Sequence, residues 1–322
     1  MIRNLVWVLV LSLLIAFSVA VAAQIPQQGL GQGALWAYFV PDKDQPPEED
    51  PGPRHMPGST KAYTHAEIED HFNPPDWYPE EHGPVPSIIQ HGIPEKAQAC
   101  GSCHLMSGTG HPESANLAGL DADYIMRQMD DFKSGIRQNG RPMAQAANEV
   151  PEEELRKVAE WFAALTPKIW VRVIEAETVP KTYINKSYMR LPISGGGTQP
   201  LGNRIVELPE DPARATSRDS HSGFVAYVPV GSLAKGEALV KTGGAGKTTR
   251  CEICHGPSLH GSSEVPSPRI TGVSPLSTAR QLYAFQLGTR GGPLAVLMKS
   301  VVAHLNDDDI IAICAYLASQ KP

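Results

Sequence analysis

Four of the five cysteines stand in two copies of one pattern, Cys100-Gly-Ser-Cys103-His104 and Cys251-Glu-Ile-Cys254-His255. Two thiols three positions apart lie on adjacent faces of one helical turn. There they can add across the two vinyl groups of a haem and hold it by thioether bonds. The histidine that follows is then held beneath the iron as its proximal ligand. Two other chemistries use the same cysteines. A redox dithiol needs only Cys-x-x-Cys, which leaves a histidine after both copies unexplained. A structural zinc site needs four ligands converging on one ion, and these pairs are about 150 residues apart.

An iron held by one histidine needs a sixth ligand or an open position for chemistry. Met143 lies 39 residues after His104, and Met298 lies 43 after His255. Each is expected in a loop that folds back over the iron, and a soft thioether there raises the potential. Met106, Met126, Met129 and His111 are further candidates in the first half, with His260 and His304 in the second. Met126 and Met129 fall inside a helical pattern, where core packing accounts for them. Cys314, the remaining cysteine, falls on an apolar helix face and reads as a buried free thiol.

These residues belong to an internal repeat, about 87–167 and 232–322. Leu117-Ala-Gly119 answers Ile270-Thr-Gly272. Arg127, Gln128, Phe132, Gly135 and Arg137 answer Arg280, Gln281, Phe285, Gly288 and Arg290 at a constant offset of 153. Met143 answers Met298 and Trp161 answers Tyr316 at an offset of 155. Each repeat predicts a terminal helix. Asn306 is a natural N-cap with Asp309 three residues on, and Ile310, Ile313, Cys314 and Leu317 share one face. Pro151 suits the N1 position of its counterpart, Glu152–Glu154 suit its positive end, and Leu155, Val158, Phe162 and Leu165 form the stripe. Helices are also predicted over Asp123–Gly135 and Ser277–Gly288. Pro94, close before Cys100, shortens the helix expected there, whereas Gly236 suits a helix crossing the terminal one closely. Trp161 and Tyr316 are expected against a haem edge or an opposing helix.

The rest of the chain frames the repeats. Arg3 and an apolar run from Leu5 to about Ala23 end in small residues, so residues 1–23 read as a signal peptide, with an uncleaved anchor as the competing reading. Residues 24–86 read as an arm that wraps a folded surface. Eleven prolines and eleven acids against three basic residues in 41–86 leave room for no long element, and Trp36, Tyr38, Phe39, Phe72, Trp77 and Tyr78 supply apolar contact. Residues 168–231 read as a connector with strands near Trp170–Ile174, Arg204–Leu208 and Phe224–Val230. Gly243–Thr249 lacks the first glycine of a phosphate loop and reads as a turn. The net charge of −6 argues against a nucleic-acid binder, and predicts a partner with a basic face.

Each repeat resembles a class I cytochrome c domain, on the pattern Cys-x-x-Cys-His, Arg-Gln, Phe, Gly, Met and a final helix with an aromatic. The whole is similar to an exported tandem di-haem c-type cytochrome. The resemblance implies a mainly α fold of two such domains joined by a partly β connector. It implies two covalently bound haems c, with Cys100, Cys103, His104 and Met143 serving one, and Cys251, Cys254, His255 and Met298 the other. It implies a periplasmic electron carrier between redox proteins: a dehydrogenase, a terminal oxidase or another cytochrome. An uncleaved leader would instead anchor it to the inner membrane, facing the periplasm. The alternative is a di-haem redox enzyme, a peroxidase or a small sulfur-compound oxidase, with an open or exchangeable haem ligand position.

Overall fold

The computed structural model describes residues 32–46, 52–138 and 140–322; the expected signal peptide lies outside them. The arm contributes a 3-10 turn, Gln32–Ala37, then the two-residue strands β1 (Arg54–His55) and β2 (Ala62–Tyr63) and the four-residue helix α1 (His65–Ile68). Its aromatics are anchored. Trp36, Tyr38 and Phe39 pack against the core of the second repeat, while Trp77 and Tyr78 are buried with Met56 and Ile68.

The first repeat holds α2 (Ser87–Gln90), α3 (Cys100–His104), α4 (Ala122–Lys133), α5 (Arg141–Glu149) and α6 (Glu152–Ala164). Asp121 caps α4 by accepting from Tyr124 N–H at 2.8 Å. Pro151 is the N-cap of α6 rather than its first helical residue, and Leu155, Val158, Ala159 and Phe162 are buried.

The connector carries β3 (Val171–Glu175), β4 (Thr178–Pro180), β5 (Thr182–Ile184), β6 (Arg190–Pro192), β7 (Thr198–Pro200), β8 (Val206–Pro209), the short α7 (Pro212–Thr216) and β9 (Phe224–Val228). Strands β3 and β9 pair in parallel, with Val171 opposite Phe224, and β8 adds antiparallel to β9. Two small pairs, β4–β7 and β5–β6, had no sequence signal strong enough to predict.

The second repeat holds α8 (Ser232–Thr242), α9 (Glu252–His255), the two-residue strands β10 (Gly261–Ser262) and β11 (Ser267–Pro268), α10 (Pro275–Gln286), α11 (Ala295–Val302) and α12 (Asp307–Ser319). Helix α8 has 11 residues where α2 has 4, as Pro94 predicts. A Cβ on Gly236 would lie 2.0 Å from the Ala312 carbonyl oxygen, so α8 and α12 meet backbone to backbone. Asn306 and Asp309 cap α12 reciprocally, and Cys314 is fully buried inside it. Gly119 and Gly272 both take positive φ and donate their N–H to carbonyls of the terminal helices, at Phe162 and Leu317. The fold is mainly α. Among the described residues no helix is long and apolar enough to cross a membrane.

Candidate functional site

The two Cys-x-x-Cys-His units fold alike. Each forms a short helix, with its histidine buried at 6% exposure for His104 and 8% for His255. His104 Nδ1 lies 2.8 Å from the Ala115 carbonyl, and His255 Nδ1 2.8 Å from the Pro268 carbonyl. A carbonyl only accepts, so each Nδ1 carries the proton and each Nε2 keeps its lone pair. Burial lowers the pKa of both rings and keeps them neutral. One residue earlier, the Ser114 and Ser267 hydroxyls donate to the Cys103 and Cys254 carbonyls, both at 2.5 Å. These four supporting residues were not singled out in the sequence, although they obey the same offset of 153.

No two of these four cysteines are joined in a disulfide. Burial pushes Cys100 up to about 12 and Cys251 up to about 11, far from the low-pKa thiolate of a redox dithiol. Among the described residues no group of three or more His, Cys, Asp or Glu side chains converges as a metal site, which leaves the zinc reading without its ligands.

The methionines sit differently from expectation. Met143 lies on α5 and Met298 on α11, short helices before the terminal helix rather than loops. Gly140 and Pro142 start α5 at the point where a loop was expected. Even so, Met143 and Cys100 pack against one apolar core, and Met298 and Cys251 against the other. Met106, Met126 and Met129 are buried in the first core. His111 is buried 3.4 Å from Glu113, its pKa pushed down to about 3 by burial first, then by Arg218 and His104. His260 and His304 lie at the surface. Trp161 packs on Phe162 and His82, with ring centroids 5.2 and 5.7 Å away. Tyr316 packs at the α8–α12 crossing.

The repeated Arg-Gln pairs join the two halves. Arg137 donates to Gln128 at 2.8 Å and to Gln281 at 3.0 Å. Arg290 donates to Gln281 and to Gln128, both at 2.9 Å, and to the Tyr124 hydroxyl at 2.9 Å. The backbone closes the same seam, with Gln138 N–H to Thr289 at 2.8 Å and Gly291 N–H to Ile136 at 2.9 Å. Burial, then Arg290, brings the Arg137 pKa down to about 9. Arg290 is buried, Arg137 partly so, and Asp131 acts on both; guanidiniums so placed suit the two propionates of a haem. Paired free thiols, a histidine with its Nε2 lone pair available and a methionine on the same core complete the fit in both repeats.

The surroundings of the two units differ. In the first, Arg218 reaches across from the connector, giving Nε–H to the Ile68 carbonyl at 2.9 Å and Nη1–H to the Ser102 carbonyl. Ala99 N–H donates to the His71 carbonyl of the arm at 2.9 Å. Trp77 donates to the Ser217 carbonyl at 2.7 Å, and Tyr78 to Asp219 at 3.0 Å. Ser102, between the first two cysteines, is 1% exposed under this cover; Ile253, between the second two, is 56% exposed.

No family model matches the chain. It is similar to cytochrome c4 of Azotobacter vinelandii, 24% identical over 232 residues, covering 69% of this chain and 84% of that protein. It is similar to the thiosulfate dehydrogenase electron acceptor of Stutzerimonas stutzeri, 25% identical over 237 residues, covering 71% and 82%. Cytochrome c-554(548) of Halomonas halodenitrificans is 35% identical over 78 residues, which is 24% of this chain and 93% of that protein. Among solved structures, the thiosulfate dehydrogenase (TsdBA) of Marichromatium purpuratum shares the fold with a TM-score of 0.50 at 24% identity, over 73% of this chain and 39% of that one. With two Cys-x-x-Cys-His helices built alike and a near-full-length match to a cytochrome c, the chain belongs to the class I c-type cytochromes, as a tandem form with two covalently bound haems c.

Proposed function

We propose that the chain is an exported, periplasmic electron carrier that passes single electrons between redox proteins. Residues 1–23 are its leader, 24–86 an arm, 87–167 and 232–322 the two haem domains, and 168–231 their connector. Cys100 and Cys103 form the thioethers of the first haem, with His104 and Met143 as its iron ligands. Cys251, Cys254, His255 and Met298 do the same for the second. The haems supply one-electron iron chemistry; the chain supplies everything that tunes it. Ala115 and Pro268 fix each histidine tautomer and ring orientation, which strengthens Nε2 as a donor. The apolar cores under Met143 and Met298 exclude water and favour the less charged oxidation state.

The observation that carries this reading is the matched pair of buried histidines, each with Nδ1 bonded to a carbonyl and Nε2 left over. Methionines on both cores favour closed irons and outer-sphere transfer over turnover of a substrate at the metal. The relative named as an electron acceptor of a thiosulfate dehydrogenase supports a dehydrogenase as donor. Pyridine haemochrome and mass measurements test the haem assignment, with two haems per chain as the expected result. Low-spin His/Met spectra at both irons, without peroxide or thiosulfate turnover, are expected of a carrier. A high-spin iron with turnover favours the enzyme.

A further inference from the structure

The two repeats match in their ligand sets but not in the charge set against them. Asp211 caps α7 by accepting from the Ala213 and Arg214 N–H groups, and the helix closes at Ser217. Arg218 then takes a φ of 60°, in the left-handed region that a residue with a β-carbon enters at a cost. Its guanidinium bonds two backbone carbonyls. One is Ile68 of the arm, at 2.9 Å, and the other is Ser102, inside the first Cys-x-x-Cys-His unit. A carbonyl carries no net charge, so the positive charge stays beside that unit. Asp219, the next residue, is taken up by Arg214 at 2.6 Å and by the Tyr78 hydroxyl at 3.0 Å.

The field of Arg218 reaches both sides of the first unit. Burial, then Arg218, lowers the pKa of His71 on the arm and of His111 on the loop that runs to Ala115. Glu113, on the same loop, is held up at about 7 by burial, so in weakly acid solution it is largely neutral and leaves the cation unbalanced. The second unit is surrounded differently. Ile253 is 56% exposed in the place of Ser102, and Arg250, beside Cys251, is bonded to Glu252 at 3.2 Å. The seam arginines, Arg137 and Arg290, hold matching places in the two repeats. Arg218 belongs to the connector, outside the duplicated segments, so the repeat supplies no counterpart to it.

We propose that Arg218 is a positioning residue for electron transfer: it fixes a positive charge at the carbonyl before Cys103 and so raises the potential of the first haem relative to the second. A cation at that point favours the less positive, reduced state. Electron sharing within the chain balances, one electron lost at one iron for one gained at the other, with no bond made or broken. Arg218 shifts that equilibrium toward the first. This inference rests on the two-haem carrier reading above and extends it to what sets the two sites apart.

The test uses the full di-haem protein, with two haems per chain and low-spin spectra established first; those measurements, and not the potentials, decide the carrier reading. Redox titration at pH 6 follows each haem by its haem-methyl NMR signals, assigned with Met298→Ala, which alters the second haem. Arg218→Gln keeps a donor for the Ser102 carbonyl and removes the charge; Arg218→Met removes both. Each is expected to move the sharing equilibrium about tenfold toward the second haem, ~59 mV for one electron, through a fall at the first haem alone. Should the methionine variant not hold two haems, the glutamine variant carries the same expectation. Arg218→Lys keeps the charge and is expected to recover at least half of the shift. Trp77→Phe serves as the control for the cover itself. It loses the bond to the Ser217 carbonyl, and is expected to quicken proteolysis within 52–86 while both potentials stay in place. Unchanged potentials in Arg218→Gln, an equal fall at both haems, no recovery in Arg218→Lys, or the same fall in Trp77→Phe would each overturn the assignment.

Discussion

Arg137 and Arg290 occupy the same place in two halves of the chain, and each hydrogen-bonds both Gln128 and Gln281. The two guanidiniums lie over Phe132 and Phe285, 4.3 and 4.6 Å from the ring centroids. The seam between the repeats is therefore built twice from one set of residues, turned to face itself.

Arg290→Met removes donors from Gln128, Gln281 and the Tyr124 hydroxyl at once. Both glutamine oxygens keep their bond from Arg137, so the loss is that of hydrogen bonds to a charged donor, about 1.5–3 kcal/mol. Denaturant unfolding is expected to show a loss of that size, with both haems still attached. A loss below about 0.5 kcal/mol would mean that water replaces the arginine without penalty.

Met298→Ala removes the thioether from the core shared with Cys251. The second haem is expected to drop in potential and to bind carbon monoxide, while the first keeps its spectrum. Redox titration and carbon monoxide difference spectra decide it. An unchanged potential and no carbon monoxide binding would reject Met298 as the ligand.

Gly236→Ala places a methyl 2.0 Å from the Ala312 oxygen and 2.7 Å from Tyr316 Cβ. Both are rigid neighbours on α12, so the helices must part. The expected cost is about 2–4 kcal/mol, read as a lowered melting temperature of the second repeat.

Glu207 is 1% exposed, bonded by the Ser274 hydroxyl at 2.7 Å, and burial pushes its pKa up to about 7. Its raised folded pKa makes the neutral carboxyl the form that folding prefers. That contribution is full below about 4.5, the ordinary value, and is lost as pH rises through 7. Glu207→Gln keeps a neutral group there. The variant is expected to lose the decline in melting temperature between pH 5 and 7 that the parent shows. Parallel profiles for the two proteins would exclude Glu207 as the source.

Arg218→Ala cuts the bridge from the connector to Ile68 and Ser102. Limited proteolysis within 52–86 is expected to quicken several-fold, because the arm loses a tether to the first repeat.

Local spacing made much of this legible. The cysteine units, the capping box of Asn306 and Asp309, the close crossing at Gly236 and the short helix before Cys100 are all short-range patterns. The partners of the histidines are backbone carbonyls, and a carbonyl has no signature in the residue type, so Ala115 escaped notice. Pairing of β3 with β9 joins residues about 50 apart and has no periodic mark. Met143 was expected in a loop because it stands just before the terminal helix, yet Pro142 suits the start of a helix there.

Strand β3 begins soon after the first repeat ends, and β9 ends just before the second begins. They run side by side, with Trp170 also accepting from Phe224 N–H at 2.9 Å. Everything between them leaves and returns at one clasp. The placing of one repeat against the other is accordingly held by two five-residue strands and the arginine seam, so a change in the length of the segment between the strands need not move either repeat.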